Sequence, residues 1–117
     1  MTDFNFFHFI VGTIISMDDH ELAALTVSGL VRKLNISKSL LYYLFKVRNY
    51  TPAEFMTRTK ISRAEALLKN KKISVKELSQ RMGYHSPDYF IRLFKTYFGI
   101  TPGKYRKYSS RQESKEK

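Results

Sequence analysis

The chain of 117 residues has no cysteine, three prolines, five glycines and only ten acidic residues. Without cysteine there is no disulfide framework and no thiolate metal site, and the redox compartment is left open. The few glycines form no phosphate-cradling loop after a strand, and His8, His20 and His85 show no metal-ligand spacing. No paired-carboxylate, Ser/His/Asp or Cys/His arrangement is present. These gaps argue against an enzyme and imply no cofactor.

Long hydrophobic runs are also missing. The most apolar stretch, Phe4 to Met17, is shorter than the roughly 20 residues a spanning helix needs. It lacks the positive flank and cleavage site of a signal peptide, and Asp3 precedes it. It reads as a buried first helix. A helix lying on a membrane surface is the other reading of this stretch, but it has no Lys or Arg to attract anionic lipid. No membrane partner is expected.

What the chain does have is positive charge: 21 Lys and Arg give a net +11 and a pI near 10.0. Such a balance speaks to partners, not to fold. Nucleic acid comes first, anionic membrane second, acidic protein third. The acids are unevenly placed. None lies between Glu21 and Glu54, a window holding Arg32, Lys33, Lys38, Lys46 and Arg48. None lies between Asp88 and Glu113, where Arg92, Lys95, Lys104, Arg106, Lys107 and Arg111 fall.

Strand signals are weak, and helical ones recur with cap chemistry. All three prolines follow a hydroxyl residue, as Thr51-Pro52, Ser86-Pro87 and Thr101-Pro102. A Thr or Ser oxygen accepts from an orphan N–H of the first turn, and proline at the first position lacks an N–H that would go unpaired. Thr26, Ser37 and Ser74 offer the same caps to the segments that follow them. Asn35, Gly83 and Gly99 serve as stops, because Asn and Gly tolerate the left-handed conformation. The reading is all-α: a helix from Thr26, "KSLLYYLFK" after Ser37, a long helix from Pro52 to about Lys69, "VKELSQRM", "DYFIRLFKTYF", and a last short helix through Tyr105.

The pattern is a repeat. Val27, Leu30 and Leu34 match Val75, Leu78 and Met82 at an offset of 48. Leu44-Phe45-Lys46 matches Leu93-Phe94-Lys95 at 49, and Thr51-Pro52 matches Thr101-Pro102 at 50. The offset drifts only at turns, where insertions belong. Each unit is a short helix, a tight turn and a second helix, the plan of a helix-turn-helix.

On a helical wheel, Leu40, Leu41, Leu44 and Phe45 form one side of the first unit's second helix. Ser39, Tyr42, Tyr43 and Lys46 lie opposite. In the second unit Tyr89, Phe90, Leu93 and Phe94 face inward, with Asp88, Ile91, Arg92 and Lys95 outward. A reading helix needs this division, one side anchored and the other free to enter a major groove. Arg92 suits bidentate guanine or phosphate; Lys46 and Lys95 suit phosphate. Tyr42 and Tyr43 suit a thymine methyl, a phosphate or partial burial. Asp88 accepts from cytosine or serves the helix dipole. His85 contacts phosphate or base, or is a solvated turn residue. The long helix would span roughly 27 Å, against about 34 Å between successive major-groove openings on one face of DNA. A small helical RNA-binding protein is the alternative that composition allows, although RNA readers favour exposed aromatic platforms.

The segment "GYHSPDYFIRLFKTYFGITPGKYR" (Gly83 to Arg106) carries Gly-aromatic, Tyr-Phe, Arg, Phe-Lys, Gly, Thr-Pro and Tyr-Arg in order. With "HELAALTVSGLVRKLNIS" before the first unit, it resembles the AraC/XylS-type DNA-binding domain over about residues 20 to 107. The resemblance implies two homeodomain-like three-helix subdomains joined by a long linker helix. Residues 1–50 would form the first unit, 51–70 the linker and 71–107 the second, with 108–117 a disordered polar tail. It also implies sequence-specific binding to promoter DNA by a bacterial regulator, usually an activator that contacts RNA polymerase, acting in the cytoplasm at the nucleoid. Carried over by position, the reading helices are Ser37 to Lys46 and Ser86 to Tyr97. The candidate contacts are Ser37, Lys38, Ser39, Tyr42, Tyr43 and Lys46 in the first unit. In the second they are His85, Ser86, Asp88, Ile91, Arg92 and Lys95. The first unit departs from the family pattern: Asn35 stands for a usual Gly, Val31 for a small residue, and Tyr42-Tyr43 for a polar residue and Arg. Most members carry a separate effector-binding or dimerising domain; this sequence has no residues left over for one, which fits either a small stand-alone regulator or a DNA-binding fragment of a longer one.

Overall fold

A computed structural model describes residues 3–70 and 72–116. Among them are eight α-helices and no strand: α1 (Asp3–Ile15), α2 (Asp19–Ala24), α3 (Val27–Leu34), α4 (Lys38–Lys46), α5 (Pro52–Leu67), α6 (Val75–Arg81), α7 (Pro87–Phe98) and α8 (Pro102–Glu116).

The helix starts follow the hydroxyl caps. Thr26 Oγ1 accepts from Gly29 N at 3.0 Å, Ser37 Oγ from Leu40 N at 3.1 Å, and Ser74 Oγ from Glu77 N at 3.0 Å. The three hydroxyl-proline pairs behave alike. Thr51 accepts from Glu54 N at 3.1 Å, Ser86 from Tyr89 N at 3.3 Å and Thr101 from Lys104 N at 3.3 Å. Glu54 returns the bond to Thr51 N, which makes a capping box. Asp18 caps α2 in the same reciprocal way, and the Glu21 N–H holds its carboxyl below the usual range.

The stops match across the repeat. Asn35 ends α3 at φ 54°, its counterpart Gly83 follows α6 at φ 87°, and Gly99 ends α7 at φ 82°. Asn49, fifty residues before Gly99, also has positive φ, at 63°. The segments ahead of Thr51-Pro52 and Thr101-Pro102 thus each hold a left-handed residue before the next cap, Asn49 in one and Gly99 in the other.

The chain divides into two compact units at Thr59 and Lys60, inside α5. Residues 51–70 are therefore more than a bare linker. Met56 belongs to the first core, with Ile10, Ile14, Met17, Leu22, Leu30, Leu41, Leu44 and Phe45. Ile61, Ala64 and Leu68 belong to the second, with Leu78, Met82, Phe90 and Phe94. The apolar start is a helix, but it buries one side only: Ile10 and Ile14 are inside, Phe9 and Ile15 exposed.

One expectation fails at the C-terminus. The last helix does not stop near Tyr105, and residues 108–116 are part of it, not a disordered tail. After Gly103 the sequence has no Gly or Pro, and its Lys, Arg, Gln and Glu residues lose little side-chain freedom in a helix.

Candidate nucleic-acid interface

In the first unit α4 is anchored by Leu41, Leu44 and Phe45, all fully buried. Phe45 packs edge-on against Phe7 of α1 and tilts against Phe55 of α5. The opposite side presents Ser39, Tyr43 and Lys46 to solvent, with Lys38 and Tyr42 beside them. Lys38 Nζ lies 5.9 Å from the centre of the Tyr42 ring. Ser37 is exposed, and its oxygen is engaged as the cap.

The second unit repeats the arrangement. Phe90 and Phe94 anchor α7, and Asp88, Arg92 and Lys95 are exposed. The Arg92 guanidinium lies 6.0 Å from the Tyr89 ring centre. His85 is exposed in the turn before α7, and Ser86 is its cap.

Three faces differ from the wheel. Ile91, expected outward, packs against the second core. Leu40 and Tyr89, expected inward, are 39% and 47% exposed. The reason is geometric. At 100° per residue each lies roughly 90° from the centre of its helix's buried arc, where a wheel cannot assign a side. Leu93, also expected inward, is half-buried.

The structure also separates the positive charges by use. Arg48 Nη1 donates to the Leu44 carbonyl at 2.7 Å, and its guanidinium lies 3.9 Å from the Phe7 ring centre. Arg106 donates to carbonyls after α5, Nε to Leu68 at 3.0 Å and Nη2 to Ile73 at 2.5 Å. Arg58 Nη1 donates to the Tyr50 hydroxyl at 2.9 Å. Arg48 and Arg106 thus hold backbone carbonyls of the fold, which sequence reasoning missed, while Arg58 stays exposed; the Tyr-Arg pair at 105–106 was the one available signal. Their neighbours Lys46, Lys95, Lys104 and Lys107 are exposed.

Tyr84 lines the second core beside Phe90, at 5.7 Å between ring centres. Burial, with the phenols of Tyr89 and Tyr97 nearby, pushes its pKa up to about 12. Burial also raises Tyr105, helped by the hydrogen bond its hydroxyl donates to Glu65. Among the described residues no cluster of three or more His, Asp or Glu is placed to hold a metal. No helix of the described residues is long and apolar enough to cross a membrane.

Comparison with known proteins places this geometry. The sequence model of the helix-turn-helix domain, AraC type, matches residues 30–108. The Msm operon regulatory protein of Streptococcus mutans is 37% identical over 86 residues, 73% of this chain and 31% of that protein. A DNA-binding transcriptional dual regulator from Escherichia coli K-12 superposes with a TM-score of 0.77 at 28% identity, covering 87% of this chain and 90% of that one. The DNA-binding domain of AdpA, solved with a target DNA, shares the fold at a TM-score of 0.74 and 21% identity, over 91% of this chain and 95% of that one. This chain spans about a third or less of the length of the curated relatives it matches. With a family match that crosses both units, the chain belongs to the AraC-type family of helix-turn-helix domains.

Proposed function

We propose that this chain binds double-stranded DNA sequence-specifically and regulates transcription, with α4 and α7 as reading helices in successive major grooves. The observation that carries the reading is the pair of outward faces. Ser39, Tyr43 and Lys46 on one, and Asp88, Arg92 and Lys95 on the other, stand exposed on helices anchored by full aromatic burial. A helix held that way meets a groove without reorganising its core.

Roles follow from chemistry. Arg92 is the base reader, since a guanidinium fork matches guanine O6 and N7. Lys46 and Lys95 end the two faces and grip phosphate; Lys38 and His85 do so at the helix starts. Tyr42 and Asp88 flank the readers, while Ser37 and Ser86 fix the helix starts through their caps. Ile91 supports α7 from the core side and reads nothing. Activation through contact with RNA polymerase, and control by an effector or dimerising domain on a longer chain, extend the proposal.

Selection of bound duplexes from a random pool, at near-physiological salt, tests it. Two short preferred blocks about one helical turn apart are expected. Enrichment of a single block would remove base reading from one unit. No enrichment by folded protein would overturn specific DNA recognition and favour RNA.

A further inference from the structure

The two reading helices occupy equivalent places but carry opposite chemistry on one stripe. On α4 and its end, Leu40, Tyr43 and Val47 are 39%, 54% and 57% exposed. Spaced three and four apart, they lie one above another on the same face. The equivalent stripe in the second unit, at the repeat offset of 49, is Tyr89, Arg92 and Thr96, also exposed. There the guanidinium of Arg92 lies over Tyr89, and the Thr96 hydroxyl donates to the Arg92 carbonyl at 3.0 Å. One stripe offers methyls and a ring; the other offers a hydrogen-bonding fork.

Three exposed apolar side chains in line are costly unless something covers them. The fold has inward room for none of them, because Leu41, Leu44 and Phe45 fill that side of α4. The stripe lies on the same outward half of the helix as Lys46, in a window of sequence without acids. The surface that fits is therefore both anionic and dotted with methyl groups. In the major groove, the thymine C5-methyl is the group read by apolar contact.

We infer that the first unit recognises thymine C5-methyl groups through Leu40, Tyr43 and Val47, while the second reads hydrogen-bond acceptors through Arg92. This rests on the DNA-binding reading above and assigns each unit its class of base. The first preferred block then contains thymines at the positions facing the stripe, and the second contains guanine.

The test changes one methyl group on the DNA. In the selected duplex, each thymine of each block is replaced singly by deoxyuridine, and affinity is measured by fluorescence anisotropy with the full chain. Loss of about fourfold is expected for each methyl the stripe buries. Leu40→Ala or Tyr43→Ala removes the penalty at its own position, whereas Arg92→Ala leaves all penalties in place. A 5-methylcytosine at such a position recovers part of the affinity that cytosine loses. Wild-type protein that selects two blocks yet binds uracil and thymine duplexes equally overturns the inference and leaves the DNA-binding reading intact. A penalty that survives both alanine substitutions overturns it too. Failure to select any duplex overturns the reading beneath it. Self-association that disappears in Leu40→Ala, with no uracil penalty, makes the stripe a protein contact and also overturns it.

Discussion

Arg106 of α8 closes the far end of α5 by donating its Nε–H to the carbonyl of Leu68 at 3.0 Å. The same guanidinium reaches the Ile73 carbonyl at 2.5 Å and the Asn70 carbonyl at 3.4 Å. Helix ends leave carbonyls without partners, and here one planar fork supplies several. The positive charge nearest the signature's end is thus structural. Arg106→Ala should lower the stability of the second unit by about 1–3 kcal/mol, by leaving part-buried carbonyls unmet. Lysine should not restore it, since a single ammonium cannot hold the fork's geometry. Urea unfolding followed by circular dichroism reads this, and an unchanged midpoint would contradict it.

Arg92 and the two lysines should separate by kind of loss. Arg92→Ala is expected to cost about 1–3 kcal/mol on the preferred duplex and to relax the choice at one base position. Lys46→Ala and Lys95→Ala should weaken binding to all duplexes alike, each lowering the salt slope by about one. A uniform loss for Arg92→Ala would make it a phosphate ligand instead.

Core substitutions on α7 should follow burial more closely than hydrophobicity. Phe94 is fully buried among Phe90, Phe98 and Tyr105, so Phe94→Ala should cost about 3–5 kcal/mol. Leu93 is half-buried, so Leu93→Ala should cost only about 1–2 kcal/mol. Equal shifts in thermal midpoint for the two would show that the wheel, which put both inward, was the better guide.

The two left-handed stops predict opposite outcomes. No atom lies within 4 Å of a methyl added at Gly99, so Gly99→Ala meets strain only from its φ of 82°. A cost of about 1–2 kcal/mol is expected. Asn49→Gly, at φ 63°, should be neutral or slightly stabilising, because that backbone already pays a side-chain penalty. Thermal unfolding of both variants checks the pair; destabilisation by Asn49→Gly would mean the Asn side chain itself holds the turn.

Tyr84 gives a stability term at alkaline pH. Its folded pKa, about 12, lies above the ordinary 10.0, because burial disfavours the phenolate. Between those values the unfolded chain loses the proton first, so stability declines as pH rises from about 10 to about 12. Below pH 10 the contribution is fully present. Tyr84→Phe should flatten that decline relative to wild type in chemical unfolding at stepped pH. An identical slope would place the phenol in solvent.

Six helix starts were legible because capping is local: each hydroxyl meets an N–H three residues on, whereas the start of α2 at its Asp18 cap was not read. The stops at Asn35, Gly83 and Gly99 were legible for the same reason, since a positive φ is a property of one residue. The central residues of the buried arcs, Leu41, Phe45, Phe90 and Phe94, followed from period alone. Leu40, Tyr89 and Ile91 did not, because edge positions are assigned by neighbouring helices. The length of α8 was underestimated because a polar segment without helix breakers has no stop signal to read.

The sequence by itself determined the local choices: where six helices begin, where several end, and that the plan occurs twice. Each depends on contacts within about four residues. Tertiary structure decided which positive charges face outward. Arg106 finds its carbonyls 33 to 38 residues away, and Arg48 stacks on Phe7 across the first core. A charge is spent or left exposed by what folds against it, and that is fixed by packing between helices and not by any local pattern.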